Sequence, residues 1–143
     1  MTDNCIFCAI VTGRAPARKV AEDDVVVAFL DIFPLTRGHA LVVPKRHCQS
    51  LLDAPADDLT GVALMAQRLA RVAVAPAPDG LAAEGVNLLQ ANGAVAYQTV
   101  FHLHVHVLPR YRGDGFKIQL DRRPGEEAEL DATAGDYRRG LTA

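Results

Sequence analysis

The stretch "HLHVHVLP", His102 to Pro109, sets three histidines at alternate positions with only apolar residues between them. Side chains alternate across an extended strand, so this spacing puts His102, His104 and His106 on one face. Phe101, Leu103, Val105 and Val107 then share the other face, which is suited to packing on a core. The apolar set fixes the register, because a slip of one residue would turn three imidazoles inward. The whole chain of 143 residues has only five histidines, so a row of idle surface side chains is a poor account of three in phase. Whatever this chain folds into must contain a sheet that buries one side of this segment and leaves the other free for chemistry.

The flanking segments supply the rest of that sheet. "DVVVAFLDI" (24–32) is rich in Val and Phe and reads as a strand. "PLTRG" turns the chain, and "HALVVP" (39–44) reads as a second strand stopped by Pro44. "GVNLLQANG" gives a strand and a turn at Asn92-Gly93, and the triad strand runs from Thr99 to Pro109. "CIFCAIVTG" has apolar Ile6, Ile10 and Val11 before Gly13 and predicts one or two helical turns. A long helix is expected between Asp53 and Val74, with Asp53 as cap and Pro55 in the first turn. Its buried stripe would be Leu59, Val62, Ala63, Ala66, Leu69 and Ala73. A weaker helical pattern runs from Glu126 to Arg139, interrupted by Gly135. Short antiparallel strands with one long helix predict an α+β domain. No βαβ alternation and no glycine-rich dinucleotide or Walker-type loop is present.

Size and charge bound the partners. The length suits a single domain over 1–143, and a chain of this size buries roughly 68–70% of its unfolded surface. Half the residues are hydrophobic, yet no apolar run approaches the roughly 20 residues of a membrane span. The start, "MTDNCIFCAIVTG", lacks a basic leader. The expectation is a cytoplasmic protein with no membrane partner. A net charge of −2 with scattered basic residues argues against nucleic acid. It remains compatible with a small anionic ligand at one locally positive site.

Three chemistries suit the histidines. All three could ligate a zinc ion. One could be a nucleophile whose neighbours set its tautomer. Or the roles could be divided between metal and catalysis. An all-histidine zinc site leaves Cys5, Cys8 and the polar Gln98 unexplained. A histidine nucleophile suits phosphorus chemistry, because neutral imidazole attacks phosphorus and the adduct is labile to water; such a site needs donors for phosphate oxygens. Cys5-x-x-Cys8 has spacing for zinc, for redox chemistry or for two packed thiols. Three cysteines, an odd count, speak against a disulfide framework.

The run His102-Leu-His104-Val-His106-Val-Leu, preceded by Gln98-Thr99-Val100, resembles the signature of the histidine triad (HIT) family. "CIFCAIVTGRAPARKVAEDDVVVAFLDIFPLTRGHALVVPKRH" and "NGAVAYQTVFHLHVHVLPRYRGDGF" are similar to the family's patterns as well. The resemblance covers 5–116, leaves a tail at 117–143, and is nearest to bacterial members of the Hint-like branch. It implies a HIT-like fold: an antiparallel sheet of about five strands, one long helix and a short N-terminal helix. It implies a purine nucleotide ligand, such as AMP or an AMP conjugate, and hydrolysis at the α-phosphate. Hint-like members act on nucleoside phosphoramidates and Fhit-like members on dinucleoside polyphosphates; a non-catalytic nucleotide-binding module is the remaining alternative.

Carried onto this chain, the resemblance makes His104 the nucleophile. His106 and Gln98 would contact the phosphate, and His39 would support the triad. Asn92 would stand on the phosphate side, Asp31 would accept the ribose hydroxyls, and Ile6, Phe7, Ile10, Phe29, Leu30 and Ile32 would form the base pocket. Phe29 and Ile32 are equally consistent with plain core. Bacterial relatives with a "CIFC" start imply a structural zinc on Cys5, Cys8, His47 and His102, with Cys48 left out because neighbours on a strand point apart. The family also implies a homodimer. Tyr97 departs from the family, where most members have Gly; it either narrows the site or points outward from the turn.

Overall fold

The computed structural model describes residues 4–143. The elements in chain order are α1 (Ile6–Val11), β1 (Lys19–Glu22), β2 (Val26–Leu30), β3 (Ala40–Pro44), α2 (Ala56–Val74), β4 (Gly85–Leu89), β5 (Val105–Arg110) and α3 (Glu127–Leu141). They form an α+β fold with one antiparallel five-stranded sheet, ordered β1-β2-β3-β5-β4. Among the described residues no helix is long and apolar enough to cross a membrane.

The alternation of side chains gives the sheet two different faces. Val26, Ala28, Val42 and Val107 pack beneath α2 against Val62, Met65 and Ala66. Val27, Phe29, Leu41 and Val43 point the opposite way and meet Phe7 and Ile10 of α1. Leu41 on β3 lies in register with His106 on β5, so His106 emerges on the α1 side. The long helix thus supports the sheet from behind while the short helix shapes the face that carries the histidines.

Several expectations shift. β5 begins at Val105, so of the triad only His106 sits in a paired strand; His102 and His104 lie in the segment just before it. His102 and His104 are buried, so the imidazole side is itself covered rather than open along its length. Phe101 leaves the core face and is 43% exposed, whereas Leu103 and Val107 stay buried. β1 had no sequence signal: its four residues, KVAE, form an exposed edge strand. α2 starts at Ala56 with Pro55 at the cap. Asp53 instead accepts the backbone N–H groups of Gln49 and Ser50 at 2.8 and 2.7 Å, closing the preceding turn. In α2, Ala63 is exposed and Met65 takes the buried place. The tail helix forms close to its expected bounds, and none of its residues is buried.

Gly38 aims the chain into β3. Its φ is +85°, and an added Cβ would stand 2.5 Å from Leu81 Cδ1. Only glycine takes that turn without strain, and the next residue is His39. Met65 is almost wholly buried beneath the sheet. Met65→Ala should therefore lower the unfolding free energy by about 2–5 kcal/mol, read from urea denaturation.

Candidate functional site

Backbone groups settle which nitrogen of each imidazole carries a proton. The Leu35 N–H donates to His39 Nδ1 at 3.2 Å, so the proton of the neutral ring is on Nε2. His39 Nε2 donates in turn to His106 Nδ1 at 2.8 Å, which leaves His106 an Nε2–H donor. His104 Nδ1 donates to the His102 carbonyl at 2.7 Å, so its lone pair is on Nε2. His102 Nε2 donates to the Pro44 carbonyl at 2.8 Å, so its lone pair is on Nδ1. The three triad histidines thereby differ in kind: one lone pair on Nδ1, one on Nε2, and one N–H donor.

Burial keeps these rings neutral. Desolvation pushes His102 and His106 down to about 4, with neighbouring imidazoles adding to the shift. His104 and His39 are also lowered by burial, opposed for His104 by its bond to the His102 carbonyl and for both by the Asp31 charge. A neutral imidazole is the form that can attack. The Phe7 ring stands edge-on to His104 with centroids 5.2 Å apart, and edge-on to Phe29 at 5.5 Å. This apolar collar is what desolvates His104.

His104 and His106 open into a cavity of about 680 Å³. It gathers Ile6, Phe7, Ile10, Phe29, Leu30, Asp31 and Ile32 around them. Ala15, Pro16, Ala17, Phe33, Leu41, Thr99 and Val100 complete it. Ala15 to Ala17 follow α1 as a linker, and nothing in "RAPAR" marks it as a wall. Ile32 and Phe33 are 72% and 80% exposed at the rim, apolar surface a flat ligand would cover. Asp31 Oδ1 accepts the Phe33 N–H at 2.8 Å. Its Oδ2 lies 3.6 Å from His39 Nε2, beyond good hydrogen-bond reach, and is free to accept from a ligand.

Gln98 and Asn92 are not brought to this cavity. Both hydrogens of the buried Gln98 amide are taken, by Gln49 O at 2.7 Å and Val100 O at 3.1 Å, and its Oε1 accepts the Gly93 N–H at 2.8 Å. Gln98 therefore has no hydrogen left for a phosphate and pins the 93–100 loop instead. The Asn92 amide is spent on Gln90 and on the Leu51 N–H. Tyr97 takes left-handed φ of 66° and is 90% exposed. It points outward from the turn in the conformation glycine adopts freely, and it does not line this cavity.

Cys5, Cys8, His47 and His102 converge beside the triad, with one ligand atom of each lying within 4.8 Å of the others. Cys5 Sγ and Cys8 Sγ are 3.4 and 3.6 Å from His102 Nδ1, and Cys8 Sγ is 3.3 Å from His47 Nδ1. Tetrahedral zinc with bonds of about 2.3 Å to sulfur and 2.0–2.1 Å to nitrogen sets sulfur and nitrogen about 3.6 Å apart. The spacing fits, and His102 offers the lone pair while its other nitrogen is held by Pro44, as metal-bound histidines require. Burial pushes the Cys5 thiol up, a cost that a divalent cation would reverse. Cys48 is buried elsewhere, against the Arg46 carbonyl.

Asp31, His39 and His106 also lie close enough to suggest a metal, but the tautomers forbid it. Binding through His39 Nε2 would move that proton to Nδ1, which already faces the Leu35 N–H. His39 and His106 are joined by a hydrogen bond instead, with Asp31 alongside.

The HIT domain family matches residues 12–113. An uncharacterized HIT-like protein of Mycobacterium tuberculosis is 44% identical over 137 residues, 96% of this chain and 92% of that protein. Adenylylsulfatase HINT3 of Arabidopsis thaliana is 36% identical over 114 residues, 80% of this chain and 56% of that protein. Among solved structures, a Streptococcus mutans protein superimposes with a TM-score of 0.91 at 35% identity, covering 99% of this chain and 87% of its own. A zinc-bound histidine triad family protein of Mycobacterium smegmatis gives 0.75 at 43% identity, with 91% and 97% covered. A histidine triad nucleotide-binding protein of Candida albicans gives 0.84 at 30% identity, with 97% and 98% covered.

The tautomers are directly measurable. Long-range nitrogen–proton NMR at pH 7 should show His104 neutral with its proton on Nδ1, and His106 and His39 neutral with theirs on Nε2. Because burial lowers His106 to about 4, the unfolded chain binds its proton first as pH falls. Its contribution to stability should be present above the ordinary histidine value of about 6.5 and be lost on acidification toward 4. The melting temperature of His106→Gln should fall less steeply over that window.

Proposed function

The chain belongs to the histidine triad family, and from that premise we propose that it hydrolyses purine nucleotide conjugates, adenosine phosphoramidates above all, at the α-phosphate. The observation that carries the reading is a neutral His104 whose free Nε2 belongs to a cavity shared with an N–H donor, His106, and a free carboxylate oxygen on Asp31. A purine would lie among Ile6, Phe7, Ile10, Phe29 and Ile32, and the ribose hydroxyls would donate to Asp31. His104 Nε2 attacks phosphorus as the bond to the leaving amine breaks, giving a nucleotidyl-His104 intermediate. His106 Nε2–H donates to the phosphate oxygens as charge builds on them. Water then cleaves the intermediate; over the cycle its oxygen ends on phosphorus and one hydrogen on the amine. The nucleotide-binding relative of Candida albicans and the adenylylsulfatase of Arabidopsis thaliana support this class of ligand.

The cysteine and histidine cluster is assigned to a structural zinc. Four protein ligands, Cys5, Cys8, His47 and His102, would leave the ion no open position, so it would tie α1 to the triad segment rather than react. The zinc-bound relative supports the assignment. The proposed assembly is a homodimer in the cytoplasm. It would form through the β4 edge and the neighbouring helix, where Leu64, Val72, Leu88 and Leu89 are exposed.

His104→Ala should abolish turnover of an adenosine phosphoramidate while AMP still binds, checked by chromatography of products and by calorimetry. More than a few per cent of residual activity would refute the nucleophile. Elemental analysis of the gently purified protein should find about one zinc per chain. Cys8→Ser should lose the metal and melt at lower temperature.

A further inference from the structure

Helix α3 is left without a partner. None of its residues, Glu127–Leu141, is buried. Among the described residues its side-chain hydrogen bonds and its ion pair, Asp136 with Arg139, stay within it. Arg110 fixes the start of the tail by gripping Asp114 and the Phe116 carbonyl, and beyond that point residues 117–126 are exposed throughout. A lone helix of this length is marginal in water. This one also carries an apolar stripe: Leu130, Tyr137 and Leu141 are 57%, 71% and 84% exposed.

The stripe has the spacing of a coiled-coil seam. Leu130, Ala134, Tyr137 and Leu141 are separated by four, three and four residues, the alternation that lines one helix against another. Run antiparallel against a second copy, this seam is self-complementary about a two-fold axis. Leu130 then meets Leu141, and the large Tyr137 meets the small Ala134. A notch of about 350 Å³ bordered by Thr133, Asp136, Tyr137, Gly140 and Leu141 lies where Leu130 of the other copy would seat.

Charge selects the same direction. Asp131 and Arg138 are seven residues apart and hold equivalent positions beside the seam. Antiparallel packing brings each against the opposite charge of the other copy, whereas parallel packing would set Asp131 against Glu126. Arg139 is already paired with Asp136 of its own helix. Among the described residues neither Asp131 nor Arg138 has an ion-pair partner.

We propose that α3 is a dimerisation helix: two copies of this chain pair their α3 helices antiparallel, Leu130 against Leu141 and Asp131 against Arg138. The pairing does not depend on the β4 edge proposed above.

Disulfide trapping tests this on the full chain. No residue of α3 is buried, so substitutions there leave the core intact. Leu130→Cys and Leu141→Cys proteins, one of them enlarged by a tag, are air-oxidised separately and mixed, then resolved on non-reducing gels. The chain with neither substitution gives the background from the native thiols. The mixture should yield the cross-linked heterodimer, and neither protein alone should exceed background. In the antiparallel register each new thiol lies about 16 Å along the axis from its own counterpart. Arg138→Glu in both chains should raise the concentration needed for half-maximal trapping by about tenfold, and adding Asp131→Lys to both should restore it. Self-trapping of either protein at or above the level of the mixture overturns the antiparallel pair. Trapping unmoved by Arg138→Glu overturns the charge pairing. No heterodimer above background overturns the proposal outright. In that case a chain that still sediments as a dimer keeps the β4 edge without α3, and a melting temperature lowered by Leu130→Lys assigns the stripe to the body of the molecule.

Discussion

The hydrogen bond from the Leu35 N–H to His39 Nδ1 sits at the head of a chain of proton assignments on which the triad side of the cavity depends. Through His39 it gives His106 its donor face, while the His102 and Pro44 carbonyls do the equivalent for His104 and His102. Imidazole has two nitrogens of nearly equal intrinsic preference, so a row of histidines alone would be a mixture of tautomers. Fixed backbone dipoles turn that mixture into three distinct groups, and among the described residues no carboxylate is bonded directly to any ring of the triad.

The sheet makes this possible by being two-sided. Its rear face is covered by α2, whose Val62, Met65 and Ala66 close a dry layer beneath Val26, Val42 and Val107. With stability supplied from behind, the front face can carry buried imidazoles, a cavity and a metal-type cluster within one short span. Gly38 belongs to the same division of labour, since its left-handed turn delivers His39 at the head of β3.

Much of this was legible beforehand. The alternation of apolar residues gave β2, β3 and the face of His106, and the family resemblance named most of the side chains that gather at the cavity. What escaped has physical reasons. β1 is four residues of an exposed edge, with no buried face to impose a period. Phe101 reads as core by its spacing, and only the tertiary fold shows it half open. Gln98 looks like a phosphate contact, but backbone carbonyls unseen in the sequence consume its hydrogens. The proton assignment depends on the backbone N–H of Leu35, a group every residue but proline possesses and no motif can flag.

Helix α1 spans only Ile6–Val11, and this single short segment serves two masters. Cys5 and Cys8 face the metal-type cluster, while Ile6, Phe7 and Ile10 wall the cavity. A cation seated on one side and a nucleotide on the other would both bear on this one short segment. Thermodynamic reciprocity then applies: whatever factor the cation contributes to holding the nucleotide, the nucleotide returns to holding the cation. Six residues of helix thus join two equilibria that the sequence presents as separate motifs nearly a hundred positions apart.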